Sequence, residues 1–350
     1  MQQLKQADYT VAAACPNIQN LNNDVKSLVD CLYETGNFSY KRNDILNSFT
    51  VLLRLVKILY TFQPNIVLSY TIKPNILIGF LSYFFNFKFY PVVTGLGTSF
   101  TQKGYLSRTI INLYKISFKR AKQVVFHNDD DKNLFEFHGI VEQNKSILIP
   151  GSGVDSKYFN SKESVFPDPP VFLFLGRLIR SKGILEFARA SATFLKEKKA
   201  IFQVLGAEVD GHPDSLTPLE LEELKSYKGL QLLGKQKDVR AFIKSCTAVV
   251  LPSYREGLPK SILEAMSMAK PVLVSQVPGC NMVFEQQAKP GLIFSPKSAP
   301  ALFEAMLQIS NADTSTLEQY GRNGRKLILD YFSQEVINRT FLNMLSSNHE

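Results

Sequence analysis

The sequence predicts an α/β fold made of two doubly wound parallel-sheet units, and three observations carry that prediction. Short apolar runs such as Val171–Leu175 and Ala248–Leu251 recur along the chain and alternate with helical segments, the pattern of strands buried on both faces of a parallel sheet. The stretch 150–170 holds Gly151, Gly153, Pro167, Pro169 and Pro170 with little periodicity and separates two sets of such runs, so a domain boundary falls there. With 350 residues, 45% of them hydrophobic, the chain can build two cores of ordinary size. Two Rossmann-like domains are therefore expected over residues 1–155 and 156–330. Ligands of such folds bind at the carboxyl ends of the strands, here in the cleft between the domains.

The elements follow in order. Residues 2–7 read as the end of a helix, whereas a unit of this kind usually opens with a strand and a Gly-rich turn. The first strand is thus expected to be missing, leaving a gap or an unsatisfied strand edge in the N-terminal sheet. Strands are expected at 9–14, 66–69, 89–93, 123–126 and 146–149 in the first domain. In the second they are expected at 171–175, 201–205, 230–233, 248–251 and 271–275. From Ala299 onward, Ala301, Leu302, Ala305, Met306 and Ile309 fall at helical spacing. These helices should cap the second domain, with 331–350 reaching back toward the first.

Composition narrows the chemistry. Cys15, Cys31, Cys246 and Cys280 are scattered without a C-x-x-C pair, and four histidines are present, so neither a disulfide framework nor a zinc site is signalled. The reducing cytoplasm fits this usage. The longest apolar stretches carry Pro, Asn or Gln and fall short of a bilayer span, and no signal peptide is expected. The net charge of +9 is unevenly placed. Lys103, Arg108, Lys115, Lys119, Arg120 and Lys122 lie in one acid-free stretch interleaved with Ile110, Ile111, Leu113, Tyr114, Ile116 and Phe118. Such a basic amphipathic helix can lie on anionic lipid headgroups or simply present a solvated basic face. Nucleic acid ranks last, because no recognition motif accompanies the charge.

The richest segment is Tyr254 to Glu264. The strand run Ala248–Leu251 ends at Pro252, and Pro259 suits the first turn of a helix, so Glu256 sits in a loop and Glu264 on the helix. Gly257 lets a ligand approach the backbone, and the first N–H groups of the helix lack internal partners, which favours a phosphate. The partner of a carboxylate beside a phosphate is a hydroxyl, and phosphate with polyol means a sugar nucleotide. From spacing alone, an acidic first turn with Glu264 as a surface or capping residue reads equally well. Gly176-Arg177-Leu178-Ile179-Arg180-Ser181-Lys182-Gly183 follows another strand run; at that position Arg177 and Lys182 suit a diphosphate, by paired hydrogen bonds and a compact charge respectively. Asp238 reads as a helix cap, and Asp129-Asp130-Asp131 as the first turn of a helix capped by Asn128 rather than a metal site. His127, at the end of a strand run, is either a satisfied structural histidine or a cleft residue.

On these residues the chain resembles family 4 of the retaining glycosyltransferases, which have the two-domain GT-B fold. The resemblance is carried by Gly176-Arg177 with Lys182-Gly183 and by Glu256, seven residues, Glu264 within SYREGLPKSILEAM. PGSGVD from Pro150, LPSYREG from Leu251, PVLVSQVPGC from Pro271 and TGLGTSF from Thr94 extend it. Within the family it looks most like bacterial enzymes building capsule, O-antigen or protein-linked glycans on undecaprenyl diphosphate, such as α-1,3-N-acetylgalactosaminyltransferases. The resemblance implies that Arg177 and Lys182 hold the donor diphosphate, Glu264 the ribose hydroxyls and Glu256 the hydroxyls of the transferred sugar. Gly257 and Leu258 would offer backbone N–H groups, and His127 would touch the donor sugar.

The implied activity is metal-independent transfer of a hexose or N-acetylhexosamine from a UDP-sugar to a lipid-linked sugar. No cofactor is expected. The implied place is the cytoplasmic face of the membrane, with contact through the basic helix of 103–122. No residue is an obvious covalent nucleophile, so front-side displacement is the simpler route to retention. The absent first strand departs from the family pattern and leaves open a second function, nucleotide-sugar binding without turnover. A GT-B epimerase or phosphorylase is the third reading, for which no motif speaks.

Overall fold

A computed structural model describes residues 1–19, 21, 23–36, 45–96, 105–160, 165–284 and 288–346. Lys103 and residues 97–100 of the TGLGTSF phrase lie outside the described residues. The chain divides into two compact units, Met1–Ile149 with Asn338–Glu350, and Pro150–Ile337.

The first unit contains α1 (Gln2–Gln6), β1 (Ala12–Cys15), α2 (Asn23–Ser27), β2 (Cys31–Glu34), α3 (Ile45–Phe62) and β3 (Ile66–Tyr70). It continues with α4 (Ile72–Leu81), β4 (Lys88–Val93), α5 (Tyr105–Phe118), β5 (Val124–Phe126), α6 (Asp129–Phe137) and β6 (Ser146–Leu148). All strand pairings are parallel, but they form two sheets: a pair, β1-β2, and a four-stranded sheet in the order β3-β4-β5-β6. The core under the larger sheet is aromatic, with Tyr114 and Phe126 each packing edge-on against Phe135, and Phe118 edge-on against Phe89 and Tyr114. Buried Asn75 ties α4 to two strands, accepting from Ser69 Oγ at 2.5 Å and donating to the Val92 carbonyl at 2.9 Å. The Asn128 side chain accepts from the Asp131 amide at 2.8 Å and so caps α6, with Asp129, Asp130 and Asp131 forming its first turn. The aspartates thus complement the helix dipole, as their position in the sequence predicts.

The second unit holds β7 (Val171–Leu175), α7 (Ile184–Glu197), β8 (Ile201–Leu205), α8 (Pro218–Ser226), β9 (Leu230–Leu232), α9 (Arg240–Ser245) and β10 (Ala248–Leu251). Then come α10 (Lys260–Ser267), β11 (Val272–Ser275), β12 (Gly291–Phe294), α11 (Ala299–Asn311) and α12 (Thr314–Leu327); α13 (Gln334–Ser346) begins in this unit and from Asn338 onward is counted with the first. Its sheet is parallel throughout, in the order β12-β11-β10-β7-β8-β9. Phe172, Phe174, Phe187, Phe194 and Phe202 fill the interface of the sheet with α7. The chain leaves β7 toward β9 on one side and returns at β10 to build the other side. Between β7 and β10, where Phe174 stands opposite Val250, the order reverses; this is the crevice in which open α/β sheets bind ligands.

Two strands escape the sequence reading. β2, Cys-Leu-Tyr-Glu, is half-exposed and ends on a glutamate, and β12, Gly-Leu-Ile-Phe, is a four-residue edge strand with Ile293 exposed.

Candidate active site

The loops that leave β7 and β10 meet at the strand-order reversal. Gly183 ends the first loop at φ +71°, and a Cβ there would stand 2.0 Å from the Pro252 carbonyl oxygen, so only glycine permits the approach. Beside it the Tyr254 amide donates to the Ser181 carbonyl at 2.8 Å. These contacts deliver Lys182 to Glu256: Nζ lies 2.5 Å from Oε1, with side chains 20% and 10% exposed. A third loop closes on the same point. Gly279, at φ +78°, leaves no room for a Cβ, which would stand 2.3 Å from the Gly257 carbonyl oxygen. The neighbouring Cys280 thiol is fully buried, and burial first, then the Glu256 charge, pushes its pKa well up.

Helix α10 starts at Lys260 directly after Pro259, with no side chain capping it. Its first N–H groups therefore end in the loop that carries Glu256 and Gly257. Glu264 lies one turn in, partly buried, and burial raises its carboxyl pKa to about 7 against a small opposing effect of Lys260. A carboxyl at that value exchanges its proton near neutrality and responds to any hydroxyl donor set before it. Leu258 packs on Gly151, whose Cβ would lie 3.0 Å from the leucine Cδ2.

Five of the residues singled out by sequence thus gather on one unit: Lys182, Glu256, Gly257 and Leu258 in interlocked loops, and Glu264 on α10. Arg177 is exposed on the first of these loops. His127 belongs to the other unit, at the end of β5, 8% exposed, and burial lowers its pKa to about 4. At neutral pH its ring is uncharged. Arg180, the third cation of the Arg177–Lys182 loop, is held by a carboxylate: its Nε lies 2.6 Å and 2.8 Å from the two Glu220 oxygens. Glu220 in turn completes the capping box of α8 with Thr217, so Arg180 is structural. Asp238 accepts from the Arg240 amide at 3.0 Å and holds the Arg240 guanidinium, but the N-cap of α9 is Val239, with no side-chain cap bond, so the aspartate stands one position before the cap expected of it.

Two features were not visible in advance. The Tyr254 hydroxyl donates to Glu186 Oε1 at 2.7 Å, anchoring the Glu256 loop to α7. Glu186 sits among Ile184, Leu185, Phe187 and Ala188 on α7; a carboxylate inside an apolar run was the available signal. The segment after β8 also folds onto the Arg177 loop, with Leu178 donating to the Ala207 carbonyl and Arg180 to the Asp214 carbonyl. There burial and the Arg177 charge lower the pKa of His212.

Comparison with known proteins gives the enzyme class and the fold. The family described as "Glycosyl transferases group 1" matches residues 156–327, and that described as "Glycosyl transferase 4-like" matches residues 1–128. The N,N'-diacetylbacillosaminyl-diphospho-undecaprenol α-1,3-N-acetylgalactosaminyltransferase of Campylobacter jejuni is 34% identical over 231 residues, 61% of this chain and 59% of that protein. The UDP-Gal:α-D-GlcNAc-diphosphoundecaprenol α-1,3-galactosyltransferase of Escherichia coli is 27% identical over 227 residues, 61% of this chain and 57% of that protein. The chain thus aligns with less than two thirds of each. Among solved structures, sucrose-phosphate synthase of Thermosynechococcus elongatus superposes with a TM-score of 0.81 at 18% identity, covering 99% of this chain and 92% of that one. HepE of Anabaena, solved with UDP and glucose, gives 0.74 at 16%, covering 92% and 88%. Both units match one enzyme class in sequence and the whole chain matches its fold: this protein belongs to the family 4 glycosyltransferases of the GT-B fold.

Proposed function

We propose that this protein moves a hexose or N-acetylhexosamine from a UDP-sugar to a lipid-linked sugar, with retention of anomeric configuration, in surface polysaccharide or glycan biosynthesis. The observation that carries the reading is the Lys182–Glu256 pair, held at the strand-order reversal beside the uncapped start of α10. A cation for phosphate, a carboxylate for sugar hydroxyls and unpaired N–H groups for an anion meet at one point. The names of the relatives, two α-1,3-transferases whose acceptors are diphospho-undecaprenol sugars, support the acceptor class.

In this reading Arg177, Lys182 and the α10 amides take up the charge that develops on the leaving diphosphate. The Lys182 ammonium has three donors, so it can hold Glu256 and a phosphate oxygen together. Glu256 accepts from the transferred sugar and Glu264 from the ribose. The bond between the anomeric carbon and the phosphate oxygen breaks, a bond from the same face to the acceptor oxygen forms, and the acceptor proton passes to the leaving phosphate. This needs neither a covalent adduct nor a bound metal. His127, uncharged, is assigned to the donor sugar. The protein works at the cytoplasmic face of the membrane, and the basic face of 103–122 meets anionic lipid there.

The test is a screen of UDP-, GDP- and ADP-sugars with a native lipid extract, following nucleotide release and the product's anomeric configuration. Release with UDP-sugars and an α-linked product are expected. Release equal to that of a Glu256→Ala control would overturn the assignment. The division of the first unit's strands into two sheets favours a second reading, binding without turnover; UDP-sugar binding without UDP release would select it.

A further inference from the structure

Residues 45–128 contain ten Lys and Arg and not one Asp or Glu, more than the whole net charge of +9. Part of this segment forms a single surface where β3, β4 and β5 begin. Backbone bonds run along that edge, Lys88 donating to the Asn65 carbonyl and Lys122 to the Phe89 carbonyl, each at 2.8 Å. From it projects the turn after α4, with Phe84 83% exposed. Tyr83 is fixed beside it: its hydroxyl donates to the Ile116 carbonyl at 3.0 Å, and the Arg120 guanidinium lies 5.6 Å from its ring centroid. On the other flank Tyr60, 74% exposed, and Phe85 border a hollow of about 260 Å³. Ile116, Lys119, Arg120, Lys122 and Lys57 are exposed around this aromatic tip. The next acids along the chain, Asp129, Asp130 and Asp131, form the first turn of α6 at the other, carboxyl end of β5, and Glu136 and Glu142 beyond them each lie 3.9 Å from a lysine, Lys132 and Lys145.

We infer that this surface, the Tyr83-Phe84 turn with its collar of cations, docks on an anionic lipid bilayer. The inference rests on the lipid-linked reading above and names the surface through which the protein meets the lipid. No helix among the described residues is long and apolar enough to cross a membrane, so contact is made from the surface. An aromatic tip enters the interfacial region while the cations stay in the headgroups, and no acid in the segment opposes them. Uniform positive charge around a protruding apolar side chain is complementary to such a surface.

The test uses the full chain and vesicles of phosphatidylcholine with or without phosphatidylglycerol, in the absence of donor and acceptor, so it is independent of transfer. The chain has no Trp, which makes Phe84→Trp a single fluorescent reporter; a blue shift is expected with anionic vesicles only. In co-sedimentation, Lys119→Glu/Arg120→Glu should weaken binding about thirtyfold or more, at roughly fivefold per cation. Phe84→Ser should weaken it about tenfold. Lys199→Glu/Lys228→Glu, with the same change of net charge in the other unit, should leave binding intact. Substituting residues this exposed leaves the core untouched, and unchanged thermal unfolding checks that. Absence of vesicle binding, an equal loss in both double variants, or a dimer that Phe84→Ser dissociates would overturn the inference. Transfer to a short-chain soluble acceptor in Lys119→Glu/Arg120→Glu should equal that of the native chain. If the native chain transfers but binds no vesicle, docking alone fails; if it binds vesicles but does not transfer, the transferase reading alone fails.

Discussion

Replacing Glu264 by Gln should move stability and donor binding in opposite directions. Burial raises this carboxyl from its ordinary 4.5 to about 7, so between those pH values the folded chain keeps a proton that the unfolded chain has lost. Stability then falls as pH rises through that window and stays lower above it. At about 1.4 kcal/mol per pH unit the loss is bounded at about 3 kcal/mol, and the residual solvent contact of the group reduces it to about 1–2 kcal/mol. Gln is isosteric and does not ionise. The variant should match the native chain near pH 4 and exceed it near pH 8, by about 4 °C for a unit of this size. Binding should show the reverse. An ionised carboxylate accepts two ribose hydroxyls, while an amide offers one acceptor oxygen, so UDP-sugar affinity should fall about tenfold. Native affinity should rise from pH 6 to pH 8 and that of the variant stay flat. Thermal unfolding at the two pH values, with calorimetric titration of a UDP-sugar, reads both effects. An equal stability difference at both pH values, or unchanged donor affinity, refutes the reasoning.

The remaining predictions concern the same loops. Glu256→Ala should lower kcat by roughly a hundredfold or more with a smaller change in donor affinity, measured by steady-state UDP release; a change confined to KM contradicts a role in transfer. Gly183→Ala should destabilise the second unit by at least about 2 kcal/mol, because the new Cβ would stand 2.0 Å from the Pro252 carbonyl oxygen in backbone at φ +71°. Denaturant unfolding checks it, and an unchanged midpoint is the contrary result. Tyr254→Phe removes the bond to Glu186 and leaves a buried carboxylate without that donor, so a loss of about 1–3 kcal/mol is expected by the same measurement. His127, with its pKa near 4, should impose no inflection on the kcat profile between pH 6 and 8, and an inflection absent from His127→Gln would show otherwise.

What could be read in advance follows from how local each feature is. Strands such as β7 and β10 announce themselves because burial on both faces demands an unbroken apolar run. The cap supplied by Asn128 involves a residue three positions away, within the range that sequence spacing controls. The half-exposed β2 lacks such a run, and its Cys31 finds β1 only through parallel pairing with Ala12; β12 is apolar but becomes a strand only by pairing with β11 at the sheet edge. Likewise, equal cations on one loop met different fates. Arg177 stayed exposed, Lys182 paired with Glu256 across 74 residues, and Arg180 was taken by Glu220 across 40.

The sequence by itself determined the class of fold, the two sets of strands and the residues able to recognise a phosphate and a polyol, because hydrophobic periodicity and side-chain chemistry are properties of short segments. Only the tertiary structure decided which of these groups meet, how deeply Glu264 and His127 are buried, and that the first unit's strands form two sheets. Those outcomes depend on the order in which distant strands pair, and on the dielectric surroundings that the packing then creates.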